Sequence, residues 1–237
     1  MDGDFMTALL TLLLSGASFI PLLTSAPVRA WSAPRPAAAL ELSLTPEERA
    51  LIVKGKIVLR EVPAPGRAGR TYEALGVVQG SLDEAVSVLT DFEHYPEFMP
   101  NVSAVKICEQ VHPCSVIETS LRLPLGVKKR YRLRYTAGHD DAGFRLDWVK
   151  IDWPELKPSQ TVVDTSGYWL VRGFEEGGLL VVYHVYTDPG HIPLGMSGLA
   201  RSLAKAKIPD GIVSLRERIR RVFRPRAKSP RPQTSCP

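Results

Sequence analysis

The chain has 237 residues, 44% of them hydrophobic and 23% charged, the balance of one globular domain of ordinary size with residues left over for a leader or a tail. A formal net charge of +5 is too mild to point to nucleic acid, and no nucleic-acid partner is expected. Three cysteines are too few for a disulfide framework.

The chain opens on a leader. The apolar run from Met6 ends in the small-residue pattern Val28-Arg29-Ala30, which predicts a signal peptide over residues 1–30, cut before Trp31, and therefore export. Asp2 and Asp4 stand where such leaders carry cations, so an uncleaved N-terminal membrane anchor is the alternative. Ser15, Gly16, Ser18 and Pro21 interrupt the run and weaken a spanning helix. Residues 31–44 form a Pro/Ala-rich linker. A folded domain is expected over 45–223, and a basic Pro-rich disordered tail over 224–237.

Thr45-Pro46-Glu47-Glu48 is a helix start, with a Thr cap, a proline at the first position and acids in the first turn. That helix is expected to end near Gly55. Lys56 to Val62 and Arg70 to Gln79 are β-rich runs either side of a Pro/Gly turn, and they suit a hairpin. Ser81 then caps an amphipathic helix in which Leu82, Ala85, Val86 and Leu89 share a face, with Glu84 placed to complete a capping box. Phe92, Tyr95, Phe98 and Met99 follow in a bent second helix, where Pro96 and Pro100 are expected to push Tyr95 and Met99 out of helical geometry.

From there the pattern predicts an antiparallel meander: Val102 to Val111, Ser115 to Leu123, Val127 to Ala137, Gly143 to Ile151, Thr161 to Phe174 and Leu179 to Asp188. The chain closes with helix. Met196, Leu199, Leu203 and Ala206 share one face; a break is expected at Ile208 to Gly211; Ile212, Leu215, Ile219 and Val222 share another.

Asp91 to Pro100, DFEHYPEFMP, resembles the D-x-x-x-Y-P-x-F-x-P signature of the START-like (SRPBCC, Bet v 1-like) superfamily, nearest its coenzyme Q-binding and polyketide cyclase/dehydrase branch. The order of elements extends the resemblance over roughly residues 55 to 223. It implies an α+β helix-grip fold. A curved antiparallel sheet of about six to seven strands would wrap around a long C-terminal helix, with two short helices after the first strands and an apolar cavity between sheet and helix.

On that frame, Tyr131 shares one strand face with Val127, Lys129, Leu133 and Tyr135, while Lys128, Arg130, Arg132 and Arg134 fall on the other. The four cations are a solvated outer face or, alternatively, a transient contact with an anionic membrane surface. Phe144, Leu146 and Trp148 share a face, as do Val163, Thr165, Gly167 and Trp169, and Leu180, Val182, His184 and Tyr186. If these faces point inward, the cavity is apolar with a few polar handles and suits a lipid-like ligand.

The candidate ligand-binding residues are Phe92, Tyr95, Phe98, Met99, Tyr131, Trp148, Trp169, His184, Met196 and Leu199. The histidines show no metal spacing, and neither a metal nor a cofactor is expected. The favoured reading is a monomeric module that holds a lipid, quinone or polyketide-like molecule without covalent chemistry. The alternative is a cyclase/dehydratase-type enzyme using His184 or Tyr131 as the acid/base group, with Asp147 or Asp164 as the partner of His184. A cavity filled by the protein's own side chains is a third possibility. Cys108 and Cys114 flank the His112-Pro113 turn and are a disulfide candidate in an exported chain.

Overall fold

The computed structural model describes residues 43–123, 126–140, 143–190 and 197–224, with described side chains in the C-terminal helix beginning at Lys205. The chain divides into two units, Met1–Ser43 and Leu44–Pro237, and every element below belongs to the second. The expected leader, most of the linker, the tail from residue 225 and Met196 lie outside the described residues. Among the described residues no helix is long and apolar enough to cross a membrane.

The elements run α1 (Pro46–Val53), β1 (Val58–Val62), β2 (Arg70–Val78), α2 (Leu82–Thr90), a 3-10 turn (Phe92–His94), α3 (Tyr95–Phe98), β3 (Val102–Val111), β4 (Cys114–Arg122), β5 (Lys128–Asp140), β6 (Gly143–Ile151), β7 (Asp164–Gly173), β8 (Leu179–Asp188) and α4 (Ser197–Phe223). The eight strands form one antiparallel sheet in the order β1-β2-β8-β7-β6-β5-β4-β3. That is one or two strands more than expected, because the β1–β2 hairpin joins the meander through β2 and β8.

Local chemistry places the helices. Both Thr45 and Ser81 accept a hydrogen bond from the N–H three residues on, and Glu48 and Glu84 reach back to the cap N–H, so two capping boxes start α1 and α2. Tyr95 departs from expectation. It is helical, at φ −52° and ψ −38°, despite the proline that follows. Its hydroxyl donates to the Leu89 carbonyl at 2.6 Å, and this anchor outweighs the bias against helix before proline. Met99 is extended, as Pro100 requires. The expected break at Ile208 to Gly211 is absent: α4 runs unbroken with Pro209 inside it. Packing of its apolar face outweighs the one hydrogen bond that proline removes.

The concave face carries the core. Leu133, Tyr135, Phe144, Leu146, Trp148, Trp169, Val171 and Val181 meet Ile212, Leu215 and Ile219 of α4 and Leu89 of α2 in one buried cluster. On the convex face α1 packs against β1 and β2. Ile52, Leu75, Leu170 and Val182 are buried there.

The disulfide expectation is corrected. Cys108 and Cys114 are both free and exposed. Cys114 pairs with Val111, and Cys108 sits in a bulge between Ile107 and Glu109. Three residues of strand separate it from the position facing Cys114, about 10 Å along the strand, beyond the Cα reach of a disulfide.

Candidate functional site

The site is built on the concave face. Side chains alternate across the sheet, so β5 directs Tyr131, Leu133 and Tyr135 inward, β6 directs Phe144, Leu146 and Trp148, and β7 directs Trp169 and Val171. A continuous series of ring contacts crosses this surface. Starting from the bend, Phe98 meets Tyr95 at 5.5 Å and Tyr95 meets Phe92 at 5.3 Å. Phe92 meets Tyr135 at 4.6 Å, and Tyr135 meets Trp148 at 6.2 Å. Trp148 meets Tyr183 at 5.7 Å, and Tyr183 stacks on Trp169 at 4.0 Å.

Two glycines let these rings lie close. A Cβ on Gly167 would stand 2.4 Å from the Trp148 ring, and one on Gly211 would stand 3.0 Å from the Tyr183 ring. The first allows Trp148 to lie flat over β7; the second allows α4 to approach the Trp169–Tyr183 stack. Phe98, Met99, Val102, Val105, Tyr131, Tyr183, Val185 and Ile208 are among the residues that pack against the cluster and keep partial exposure.

The interior is aromatic but not wholly apolar. Tyr95 spends its hydroxyl on Leu89. The hydroxyls of Tyr131, Tyr135 and Tyr183 form no hydrogen bond with any described residue. Burial raises the pKa of all four phenols, that of Tyr183 to about 12. Tyr131 and Tyr183 retain some surface as residues, yet enough water is withheld from their rings to oppose ionisation. Tyr95, Tyr131 and Tyr183 also lie close enough to Tyr135 for their charge to raise its pKa further. All four are neutral at physiological pH and serve as hydrogen-bond donors and acceptors.

An ionic cluster fastens the aromatic bend to α4. Arg218, buried on α4, donates to Glu97 at 2.6 Å, lies 3.8 Å from Asp91, and sits over the Phe98 ring at 5.4 Å. His94 Nδ1 is 2.7 Å from Asp91, which raises the pKa of the exposed imidazole through that hydrogen bond first and its charge second.

Most of the expected site residues meet here: Phe92, Tyr95, Trp148 and Trp169 are buried in the cluster, and Phe98, Met99 and Tyr131 pack against it. Leu199 lies within α4, but its side chain is outside the described residues. His184 does not join them. Its neighbours Tyr183 and Val185 point inward with Leu179 and Val181. The face of β8 read as inward (Leu180, Val182, His184, Tyr186) is the outer one. The error has a physical cause: β8 is buried on both sides, so its alternation carries no phase.

On the outer face His184 Nδ1 lies 2.8 Å from Glu73, its ring stacks on Tyr168 at 4.6 Å, and Tyr168 donates to the same carboxylate at 3.1 Å. The hydrogen bond with His184 is the chief reason the Glu73 pKa is lowered, against the opposing effect of burial. Neither Asp147 nor Asp164 is the partner of His184: Asp147 takes a bidentate contact from Arg145, and Asp164 pairs with Arg67. The basic row of β5 is likewise engaged, Arg132 with Glu118 at 2.7 Å, and Arg130 and Arg132 with the face of Trp153.

Sequence reasoning missed Tyr183, Tyr135, Glu73 and Arg218 as site or network residues. Glu73 had a signal, a lone acid in the β-rich run TYEALGVV. A groove of about 560 Å³ also lies between the end of α1, the β7–β8 turn and the C-terminal half of α4, and it contains none of the candidate residues.

No family model matches the chain, and no curated protein matches it in sequence. Its structure has solved counterparts. The STAR-related lipid transfer protein from Xanthomonas axonopodis aligns with 69% of this chain and 93% of its own, at 19% identity and a TM-score of 0.61. Human StAR-related lipid transfer protein 5 aligns with 70% of this chain and 83% of its own, at 15% identity and a TM-score of 0.60. The chain has the START helix-grip fold. Human STARD10 aligns with 70% of each chain, at 13% identity and a TM-score of 0.58. At these identities the likeness is one of fold, so the START-like sheet and helix are shared while the residues that line them are this chain's own.

Proposed function

We propose that this START-like domain reversibly binds one hydrophobic small molecule between the concave face of its sheet and α4, entering past the bend at Phe98 and Met99. The observation that carries the reading is the inner surface itself: a run of aromatic rings with phenol hydroxyls not committed to any described residue. Such a surface offers area for an apolar body and a few groups to orient it. Structural counterparts that are lipid transfer proteins support the same reading. The cyclase alternative loses one of its two acid/base candidates, His184, which sits with Glu73 on the outer face, and keeps Tyr131 on the inner one. The leader-like segment supports export of the domain, which mass measurement of the protein isolated from its host tests by loss of residues 1–30.

Native mass spectrometry of the purified protein, followed by organic extraction, tests the binding reading. A co-purifying apolar molecule in stoichiometric amount is the expected result. A protein that carries none, and whose melting no lipid, quinone or polyketide alters, refutes it.

A further inference from the structure

We infer that the groove between the end of α1, the β7–β8 turn and the C-terminal half of α4 is a second binding site, for a small single-chain amphiphile ending in a carboxylate. Arg216 holds the carboxylate, and Val53, Val77, Phe174 and Val213 take the hydrocarbon. This site is separate from the one proposed on the concave face.

Arg216 points to it. The side chain runs from α4 to β2, where Gly76 makes room for the guanidinium: a Cβ there would stand 3.0 Å from Nη2. Nε donates to the Val77 carbonyl at 2.7 Å, and Nη1 to the Gly55 carbonyl at 3.1 Å. These bonds tie α1, β2 and α4 together, but both acceptors are neutral. Nη2 is buried and has no partner among the described residues. The guanidinium is half-buried and forms no ion pair with any described residue. Burial lowers its pKa, with no acid near enough to oppose it, yet an arginine stays charged. A cation withdrawn from water without a counter-charge is costly, and an anion that pairs with it offsets that cost.

The groove supplies the surround. Its volume of about 560 Å³ suits a small ligand, and its lining is apolar with a few placed charges. Val53 and Val213 are exposed along it. The charges favour an anion. Of those that line it, Glu176 is taken by Arg49 and Arg224 by Glu84. Glu217 and Arg220 are both exposed, form no ion pair with any described residue, and offset one another in formal charge. The charge of Arg216 is left unanswered. Its remaining N–H groups are on Nη1 and Nη2, the pair whose geometry matches two carboxylate oxygens. The Nη1 bond to Gly55 is exposed, so Nη1 is the atom an entering carboxylate meets first. Nη2 follows as the guanidinium turns from Gly76. Arg220, four residues on, lies on the same face of α4 and adds a second, weaker attraction.

The test titrates octanoate, octanol and octylammonium, each below its aggregation limit, into the full-length protein labelled at its valine methyls. Octanoate is expected to shift the Val53, Val77 and Val213 methyls and to bind at least about tenfold more tightly than octanol, the worth of a hydrogen bond to a charged group. Octylammonium is expected to leave those methyls unmoved. Arg216→Met removes the preference for octanoate over octanol. Because Arg216 also holds Val77 and Gly55, unfolding curves check that this variant folds. Arg220→Met, at an exposed position, lowers octanoate affinity by about two- to fivefold without that risk. Equal binding of octanoate and octanol overturns the anionic class. Shifts confined to the core valines Val171 and Val181 assign octanoate to the concave face and overturn the groove as its site, and so does the absence of any shift. A free protein that sediments as a dimer with Val53 and Val213 shielded from a soluble paramagnet gives the groove to a second copy of the chain and overturns the ligand.

Discussion

Gly167→Ala tests whether the interior is as close-packed as the rings imply. Gly167 lies in β7, opposite Val185 of β8 and Trp148 of β6. A Cβ there would fall 2.1 Å from the His184 carbonyl oxygen and 2.4 Å from the Trp148 ring. One of these neighbours is backbone in the middle of a sheet and cannot turn aside. The other is a tryptophan held between Tyr135 and Tyr183. Overpacking of this kind costs about 1–3 kcal/mol or more. Replacing glycine returns about 0.5–1 kcal/mol of backbone entropy. The balance is a loss of about 2 kcal/mol, near the upper part of the ordinary range for point changes. For a domain of this size that is a fall in melting temperature of roughly 4–8 °C. Denaturant unfolding monitored by tryptophan emission gives both numbers, and the native emission should shift as Trp148 is displaced. Unchanged stability together with an unchanged native spectrum would refute the packing described for Trp148 over β7.

Three further outcomes follow from named contacts. Glu73→Gln should flatten the acid limb of the stability profile. The folded Glu73 pKa lies below its ordinary 4.5, so its contribution is present above that value and is lost as pH falls through the folded one; an unaltered slope of unfolding free energy against pH below 5, roughly, would contradict this. Arg218→Gln should destabilise the protein by about 1–3 kcal/mol, since hydrogen bonds to charged groups are lost at a buried site. A double-mutant cycle with Glu97→Gln should give a coupling of no more than about 1 kcal/mol, because Glu97 is half exposed, and a much larger value would argue against that solvent screening. Cys108 and Cys114 should both react with a thiol reagent in the native, unreduced protein, and a mass showing them joined would overturn the register of the β3–β4 hairpin.

How much of this was legible in the sequence depends on how many faces of each element are buried. Gly143 to Ile151 alternates cleanly, so Phe144, Leu146 and Trp148 could be assigned to the interior from pattern alone, as could Tyr131 and Tyr135 between the cations of β5. The aromatic bend was legible for a different reason: prolines and rings crowd together where a regular helix has no use for either. LLVVYHVY in β8 is apolar on both faces, one against the core and one on the side where α1 packs, so a period of two could not choose between Tyr183 and His184. Choosing the wrong phase exchanged a structural Glu73–His184 pair for the interior tyrosine that stacks on Trp169. Neither Gly211 nor Arg218 carried a signal, since each has its role only once α4 lies against β7, β8 and the bend.

Ring contacts and ionic contacts bear on the same boundary of the site. Phe98 begins the aromatic series that ends at Trp169, and the guanidinium of Arg218 sits over that same ring while holding Glu97 and Asp91. A ligand that enters past Phe98 must therefore move a ring over which Arg218 of α4 sits, whereas the buried cluster beyond it is made of uncharged side chains. On the proposed reading, the charged contacts lie where exchange is controlled and the uncharged ones where the ligand is held. Arg218→Gln should accordingly speed ligand release more than it weakens binding, because it loosens the bend without touching Tyr131, Tyr135 or Tyr183. Stopped-flow release of a loaded fluorescent apolar ligand measures this directly. If affinity falls while the release rate is unchanged, Arg218 belongs to the binding surface and the division between margin and interior is wrong.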